Sequence, residues 1–508
     1  LNALHFDTRH DVIRRELLFA EGDRFDPHLL AETERNLRSL GFLNKVVVAP
    51  VDTSADGDVR VRISAHETWS LETSLSFSLA SDKTSRWSLA FSEDNFLGRG
   101  LQLGLNLGAD ENGDFYSVFL RERRLFGSYW RLQLFLTDRS DGYVRQVRIE
   151  RPFFNQAQSW GIDFAADGSL QDERYYLSNA GSAGADPARL ESLYGRFPYL
   201  REGVALTGLN RVGDGESWQV WRIGLGISVR RQQADLTNPV VELSDDRFVD
   251  LSFLEEEGSP LARDNGWTVW PQLVVTTETR HWAKERFVLR YGVVEDLPLG
   301  SNASLRIGPA GPAVGSTSGN GERVKAWLQG NEGRRLMGGY LLASYDARAT
   351  FGRAADQTWR VDLTAGWLTH FGDPQRPWHS HVIAEAGRGK SLLGSEAFVL
   401  GLQRGLRTLG FDGQAGDRLY RWNVEQGKVL PFDLFGFFNL GLAGFYSGGS
   451  AWFEDEDHGF DDTRHEAGFG VRLGSTRSSR AERTRLDVSW ALDGSEGPVF
   501  TAVTQGFF

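Results

Sequence analysis

Leu101, Leu103, Leu105 and Leu107 are apolar, and Gln102, Gly104, Asn106 and Gly108 between them are polar or tiny. The same alternation returns from about residue 70 to the last residue. Leu71, Leu75, Phe77 and Leu79 alternate with Glu72, Ser74, Ser76 and Ser78, and Ile223, Leu225, Ile227 and Val229 with Arg222, Gly224, Gly226 and Ser228. Further on, Trp359, Val361 and Leu363 alternate with Arg360, Asp362 and Thr364. Leu486, Val488, Trp490 and Leu492 do so with Arg485, Asp487, Ser489 and Ala491. Successive side chains of a strand point to opposite faces, so each segment has one apolar and one wet face. Strands of roughly 9–11 residues with this pattern, parted by turn residues, are what a transmembrane β-barrel requires.

The pattern places strands at 70–81, 86–95, 99–109, 114–122, 129–138, 143–152 and 159–167. Through the middle it places them at 170–178, 217–231, 267–278, 287–294, 300–309, 338–350, 357–369 and 378–388. The last five are 419–430, 436–446, 466–474, 484–492 and 499–508. Barrels put short turns on the periplasmic side and longer loops outside. Counting back from Phe508, 493–498, 447–465 and 389–418 are external, and 475–483 and 431–435 internal.

Residues 1–67 lack the alternation. Residues 3–7 read as a short strand. Thr8 is placed to cap a helix through Val12, Ile13 and Leu17, with Asp11 in its first turn. Asp26-Pro27 is an N-cap followed by proline at the first helical position; Leu29, Leu30, Thr33, Leu37 and Leu40 then recur at helical spacing and Gly41 follows. Residues 45–51 and 59–66 read as strands joined by Ser54-Ala55-Asp56-Gly57-Asp58. The order is β-α-α-β-β, a small α+β module at 1–67 leading into a barrel at 68–508.

Composition narrows the class. No apolar run reaches the roughly 18 residues of a membrane-spanning helix. The 58 glycines allow a wide sheet to bend, and 33 Phe, 16 Trp and 12 Tyr supply interfacial girdles. Cysteine is absent, which excludes a zinc ribbon, a disulfide scaffold and a thiol nucleophile. Acids outnumber bases 68 to 56 and no basic tract stands out, which argues against a nucleic-acid partner. The chain begins at Leu1 without a signal peptide, which for an exported barrel implies processing or a trimmed chain.

The strand, the two helices, the passage Arg38-Ser39-Leu40-Gly41-Phe42-Leu43-Asn44-Lys45 and the final strand pair resemble a POTRA domain. This is the polypeptide-transport-associated module found before barrels of the BamA/TamA-type superfamily of outer-membrane assembly and translocation proteins. The resemblance implies a transmembrane antiparallel β-barrel of 16 strands in the bacterial outer membrane, with residues 1–67 in the periplasm. The twenty candidate strands exceed that number, and the surplus is assigned to hairpins or loops beyond the membrane.

Gly405-Leu406-Arg407-Thr408-Leu409-Gly410-Phe411, with Glu425 further on, resembles the superfamily's inward-folded loop. In that family an arginine of the loop pairs with acids on the lumen wall. The resemblance gives that role to Arg407, with Glu425 as its acid, and a guanidinium in a partly dehydrated lumen does require a forked carboxylate partner. Thr408 and Leu409 stand where the family has glycine and an aromatic. Ser447, in the run 445–452, stands where it has a second acid. The terminal Phe507-Phe508 resembles the sorting mark of bacterial outer-membrane barrels. The stretch 93–100 resembles a turn between early barrel strands, and Glu150-Arg151-Pro152-Phe153-Phe154 closes a strand near an interface; both read as structural.

Other chemistry is sparse. The acidic run 454–462 lacks the spacing of a calcium loop, and no nucleophile elbow or P-loop is present. No catalytic residue, metal site or cofactor is expected, and the chain reads as no enzyme. The first and last barrel strands must close the sheet. Leu71, Leu75, Ser76 and Phe77 on one side and Thr504, Gly506 and Phe508 on the other form the expected lateral seam.

Three functions follow from the resemblance. The first is assembly or translocation: the POTRA-like domain engages an unfolded outer-membrane or secreted polypeptide client, and the seam between first and last strands templates or releases it. Outer-membrane lipid and periplasmic accessory proteins are the further partners. The second is a dedicated two-partner-secretion pore, whose relatives carry paired POTRA domains and a plug helix. The third is the barrel anchor of a larger fused protein such as a patatin-like lipase.

Overall fold

A computed structural model describes residues 6–79, 86–110, 112–178, 193–213, 219–235, 265–319, 321–353, 357–402, 405–409, 413–476, 483–494 and 497–504. In the N-terminal module, helices α1 (His10–Arg15) and α2 (Pro27–Arg38) pack on the antiparallel pair β1 (Leu43–Thr53) and β2 (Val59–Glu67). Asp26 caps α2 as its sequence suggests, its carboxylate accepting the His28 N–H at 2.8 Å, with Pro27 opening the helix. Leu30 and Leu37 then face a core completed by Val12, Leu40, Phe42, Leu43, Val46 and Val48. Two expectations fail. Residues 3–5 of the expected first strand lie outside the described residues, and Phe6–Asp7 are not in a strand. Thr8 does not cap α1; it binds Glu67 through its N–H and accepts Asn95 Nδ2 through its hydroxyl, both at 2.8 Å.

The chain continues as β3 (Leu71–Leu79), β4 (Arg86–Phe96), β5 (Leu101–Asp110), β6 (Gly113–Glu122), β7 (Arg131–Arg139), β8 (Gly142–Arg151), β9 (Trp160–Leu177), β10 (Leu193–Val212), β11 (Gln219–Ala234), β12 (Gly266–Thr279) and β13 (His281–Glu285). After these come β14 (Glu295–Pro309), β15 (Val324–Leu336), β16 (Gly339–Phe351), β17 (Thr358–Phe371), β18 (Trp378–Lys390), β19 (Phe398–Leu400) and β20 (Gln414–Gly416). The last are β21 (Arg418–Leu434), β22 (Phe438–Trp452), β23 (Arg464–Ser475), β24 (Thr484–Ala491) and β25 (Val499–Thr504). All but β1, β2, β19 and β20 pair antiparallel around a closed barrel, with β25 returning to β3. Segments β12 and β13 both pair with β14 and form one interrupted strand. The described residues therefore make a barrel of twenty strands, not the expected sixteen.

The agreement in number with the twenty sequence candidates hides four local errors. Candidates 159–167 and 170–178 are halves of β9: Gly168-Ser169 looks like a turn but pairs with β8 and β10. Strand β10 escapes the pattern because its apolar residues change face. Phe197 and Tyr199 are 2% exposed, whereas Val204 and Leu206 are 48% and 44% exposed. Strand β15 escapes because Ala326 and Gly330 dilute the alternation of Val324 and Leu328. Residues 287–294 are not a strand but the tip of a hairpin buried against the barrel's inner wall.

Outward positions carry exposed Leu225, Ile227, Val361, Leu363, Leu442 and Phe469, the face that suits lipid. Exposed aromatics flank that band, Trp130, Trp160, Trp221 and Trp378 at one end and Trp87, Trp267, Phe351 and Trp490 at the other. No helix among the described residues is long and apolar enough to cross a membrane. The first end has the tight connections, such as 435–437 between β21 and β22, where Phe435 (φ +54) and Gly436 (φ +69) reverse the chain. The second has the long ones, 391–417 and 453–463.

The N-terminal module docks on the tight-turn end. Arg124 grips Glu16 through two 3.0 Å bonds, both side chains being nearly inaccessible. Arg9 donates its N–H to the Gly98 carbonyl, Asn36 binds the Phe154 carbonyl, and Gln156 donates its N–H to Glu32. Gly98 is required there: its φ is +69, and a Cβ would lie 2.2 Å from the Asp7 carbonyl oxygen. The stretch 93–100 is thus a docking turn, a role its sequence did not reveal.

Candidate functional site

The closure between β25 and β3 is thin. Among the described residues three register pairs join them: Phe500 with Leu79, Thr501 with Ser78 and Ala502 with Phe77. The neighbouring β24–β25 and β3–β4 ladders have six and eight, and β9–β10 has eighteen. Of the expected seam residues, Phe77 pairs across the closure. Leu75 and Leu71 are exposed on the outer face, and Ser76 lies between Leu75 and Phe77 on β3. Thr504 pairs with Thr484 of β24. Gly506 and Phe508 lie outside the described residues.

At the long-loop end, the connection from β18 to β21 folds into the barrel. Its stem is the short pair β19–β20, and Phe398, Leu400, Leu406 and Leu409 pack with Leu419 and Ala451 on the wall. Gly394 sits against the Tyr175 ring of β9, across the barrel from β21. Leu409 therefore fills an apolar socket.

Arg407 projects from this loop onto β23 and β24. Its Nη1 lies 2.9 Å from Glu466 and its Nε 3.0 Å from Asp487, with the guanidinium 3.9 Å from the centre of the Phe445 ring. Thr408 adds its N–H and hydroxyl to Glu466 at 3.0 and 3.2 Å. Glu425, the acid expected opposite Arg407, is taken by Arg472 instead, at 2.6 Å, with Arg483 at 3.4 Å and His379 at 3.5 Å. Arg472 also pairs with Asp487, so Arg407 and Glu425 are linked at one remove. Three guanidinium groups meet three carboxylates, and all are nearly inaccessible. Low dielectric makes such a group costly unless every member is paired.

An acid nonetheless lies beside Ser447. Ser447 accepts a bond from Asn423, and Glu466 lies directly across from Ser447 on β23. Glu466, Arg472, Asp487 and Arg483 were missed by sequence reasoning, although Asp487 had been placed on the wet face of its strand. What was missing was the knowledge that β23 and β24 face the loop.

A third assembly lies at the tight-turn end. The hairpin formed by β13, its tip and the start of β14 leaves the wall and enters the lumen mouth, where α2 meets it. Arg38 forks onto Asp296 at 2.7 and 3.0 Å, and Glu34 pairs with both Arg38 and Lys284. The Arg35 guanidinium lies 5.2 Å from the Trp282 ring centre. Burial alone would raise the Glu34 carboxyl, but Lys284, the Val48 N–H and Arg38 together hold it below the ordinary carboxylate value. Among the described residues no group of three or more potential metal ligands occurs, and the acidic loop 454–462 includes a short 3-10 turn, Phe460–Asp462.

A family model, the POTRA "surface antigen variable number repeat", matches residues 6–67. The outer membrane protein assembly factor BamA of Neorickettsia risticii (strain Illinois) is 30% identical over 125 residues, 24% of this chain; the match spans 16% of that relative's length. Among solved structures, BamA from Haemophilus ducreyi lacking POTRA domains 1–3 has a TM-score of 0.43 at 13% identity, covering 99% of this chain and 82% of that one. CdiB from Acinetobacter baumannii gives 0.48 at 11%, covering 98% and 72%.

Proposed function

We propose that this chain, a POTRA-bearing barrel of the BamA/TamA-type superfamily, inserts or translocates polypeptides at the outer membrane through its β3–β25 seam. The observation that carries the proposal is a closure that has three pairs among the described residues, beside ladders of six and eight. A strand edge with few partners is the part of a sheet that opens first, and its freed N–H and C=O groups then pair with an incoming strand. The N-terminal domain lies in the periplasm, where the outer edges of its β1–β2 pair receive the client before it reaches the seam. Unfolded outer-membrane or secreted polypeptides are the clients, and periplasmic accessory proteins deliver them. The outward apolar band meets lipid.

The test uses the absence of native cysteine. Phe77→Cys and Ala502→Cys place thiols on one register pair of the seam. Oxidation in proteoliposomes is expected to stop insertion of urea-unfolded outer-membrane barrels, scored by their heat-modifiable gel mobility, and reduction to restore it. Full insertion with the disulfide formed would sink the seam reading. Secretion of an unfolded polypeptide through the locked barrel would favour the pore reading in its place.

A further inference from the structure

We propose that residues 281–299 form a gate across the tight-turn mouth of the barrel, held shut by helix α2 of the POTRA domain. The hairpin is a departure from the wall. Strand β14 pairs with β15 from Gly300 onward, whereas 295–299 pair only with His281–Glu285 among the described residues. Both arms have a break at the wall: the β12 ladder ends at Thr279, one residue before Arg280, and Gly300 carries a φ of +123. Hinges are a few such positions at element ends, where a large dihedral change costs little.

The hairpin's seat is shaped for it. Ala283, Val288 and Leu297 pack on Tyr340, Leu342 and Leu368 of β16 and β17. The tip is rigid, because the Glu295 carboxylate accepts the N–H groups of Val288 and Leu289 at 2.9 and 3.1 Å. Tyr291, 1% exposed, reaches across to β22 and β23. A Cβ on Gly441 would lie 2.0 Å from the Tyr291 hydroxyl oxygen, and one on Gly474 2.2 Å from its Cβ. Two wall positions are thus cut back to backbone to admit one tyrosine.

Part of what holds the hairpin down belongs to another domain and is electrostatic. Arg38, Glu34 and Arg35 of α2 face Asp296, Lys284 and Trp282 of the hairpin, the Arg38 and Asp296 side chains being 9% and 16% exposed. Pairs this sheltered are weakly screened, yet they vanish as soon as α2 moves by a few ångströms. Near the base of the hairpin is a cavity of about 650 Å³ whose wall mixes Arg222, Glu278, Asn302 and Asp346 with apolar Phe153 and Leu209. A client that displaces α2 therefore opens a path that the resting domain keeps shut.

The gate rests on the outer-membrane barrel reading and is independent of the seam. Ion conductance of the full chain in planar lipid bilayers tests it without any client. Arg38→Asp and Asp296→Arg are each expected to raise open probability about tenfold or more, the shift that follows from losing ~1.4 kcal/mol of coupling. The double reversal, Arg38→Asp with Asp296→Arg, is expected to return to the resting level. Gly441→Leu, which evicts Tyr291 and leaves the α2 contacts in place, is expected to open the barrel as the single reversals do. Heat-modifiable mobility identifies folded protein in each case. Resting conductance in folded Arg38→Asp, Asp296→Arg and Gly441→Leu would overturn the gate, and so would a double reversal as open as the singles. The Phe77–Ala502 disulfide is expected to leave conductance unchanged, so failure of the gate and failure of the seam are distinguishable.

Discussion

Replacing Arg407 with alanine should release the inward loop while the barrel stays closed. The side chain is 10% exposed and touches two carboxylates, Glu466 at 2.9 Å and Asp487 at 3.0 Å, that are 0% and 2% exposed. Without it Asp487 keeps Arg472, but Glu466 keeps only Thr408, which leaves with the loop. Removing one partner of a buried pair costs about 3–5 kcal/mol, so the undocked fraction should rise roughly a hundredfold or more. Arg407→Lys keeps the charge but loses the fork that spans two acids, so it should fall between alanine and wild type. The assay is maleimide labelling of Leu409→Cys, a socket position 6% exposed, in a chain with no other cysteine. Adding Glu466→Gln to Arg407→Ala should cost less than the sum of the two, because the stranded carboxylate is gone. Wild-type labelling rates in both Arg407→Ala and Arg407→Lys would refute the clamp.

Two further outcomes concern the docked domain. Glu16→Ala strands the Arg124 guanidinium, 6% exposed, between Phe154 and Tyr129, and should weaken docking by about 3–5 kcal/mol; hydrogen exchange across His10–Arg15 should accelerate, and unchanged protection would refute the contact's importance. The Glu34 carboxyl is held below its ordinary 4.5, so its contribution is fully present above that value and lost as pH falls through the lower folded one. Its surroundings are Arg38 and Lys284, with Asp296 and Arg35 beside them, and Glu32 on the same helix is shifted up by burial, which opposes the loss on the acid side. Exchange protection of Pro27–Arg38 should fall in acid in wild type more than in Glu34→Gln; identical profiles would remove Glu34 from the contact.

The barrel was legible because lipid on one side and water on the other force a period of two, and no packing detail is needed to see it. The breaks in legibility have the same origin. Strand β10 was invisible because Phe197 and Tyr199 turn their rings inward near the long-loop end, which reverses the apolar face within one strand. The hairpin tip, 287–294, read as ordinary strand because Phe287, Val288, Tyr291 and Val293 are as apolar as a lipid-facing segment; they are buried by protein instead. Arg407 stood out through its flanking loop residues, yet its partners did not. Glu466 and Asp487 come from two strands whose approach to the loop is a property of closure, and a single chain read in order carries no record of which wall a loop will meet.

The positions of the clamp and of the seam bear on one another. Glu466 and Arg472 lie on β23, Asp487 on β24 and Glu425 on β21, so the buried network ties the strands on one flank of the closure to a loop that spans the lumen. Tyr291 bears on β22 and β23 from the opposite end. Force applied to the sheet near its closure therefore meets strands cross-linked from within up to β24, then a six-pair ladder to β25, then a junction with β3 that has three pairs among the described residues. On the proposed seam the last of these separates first, with β25 remaining attached to β24. If so, Asp487→Asn, which loosens β24 from both Arg407 and Arg472, should spread the opening to β24–β25. Hydrogen exchange would then rise across Thr484–Ala491 as well as Val499–Thr504. Exchange confined to Val499–Thr504 in that variant would mean that the network does not decide where the barrel parts.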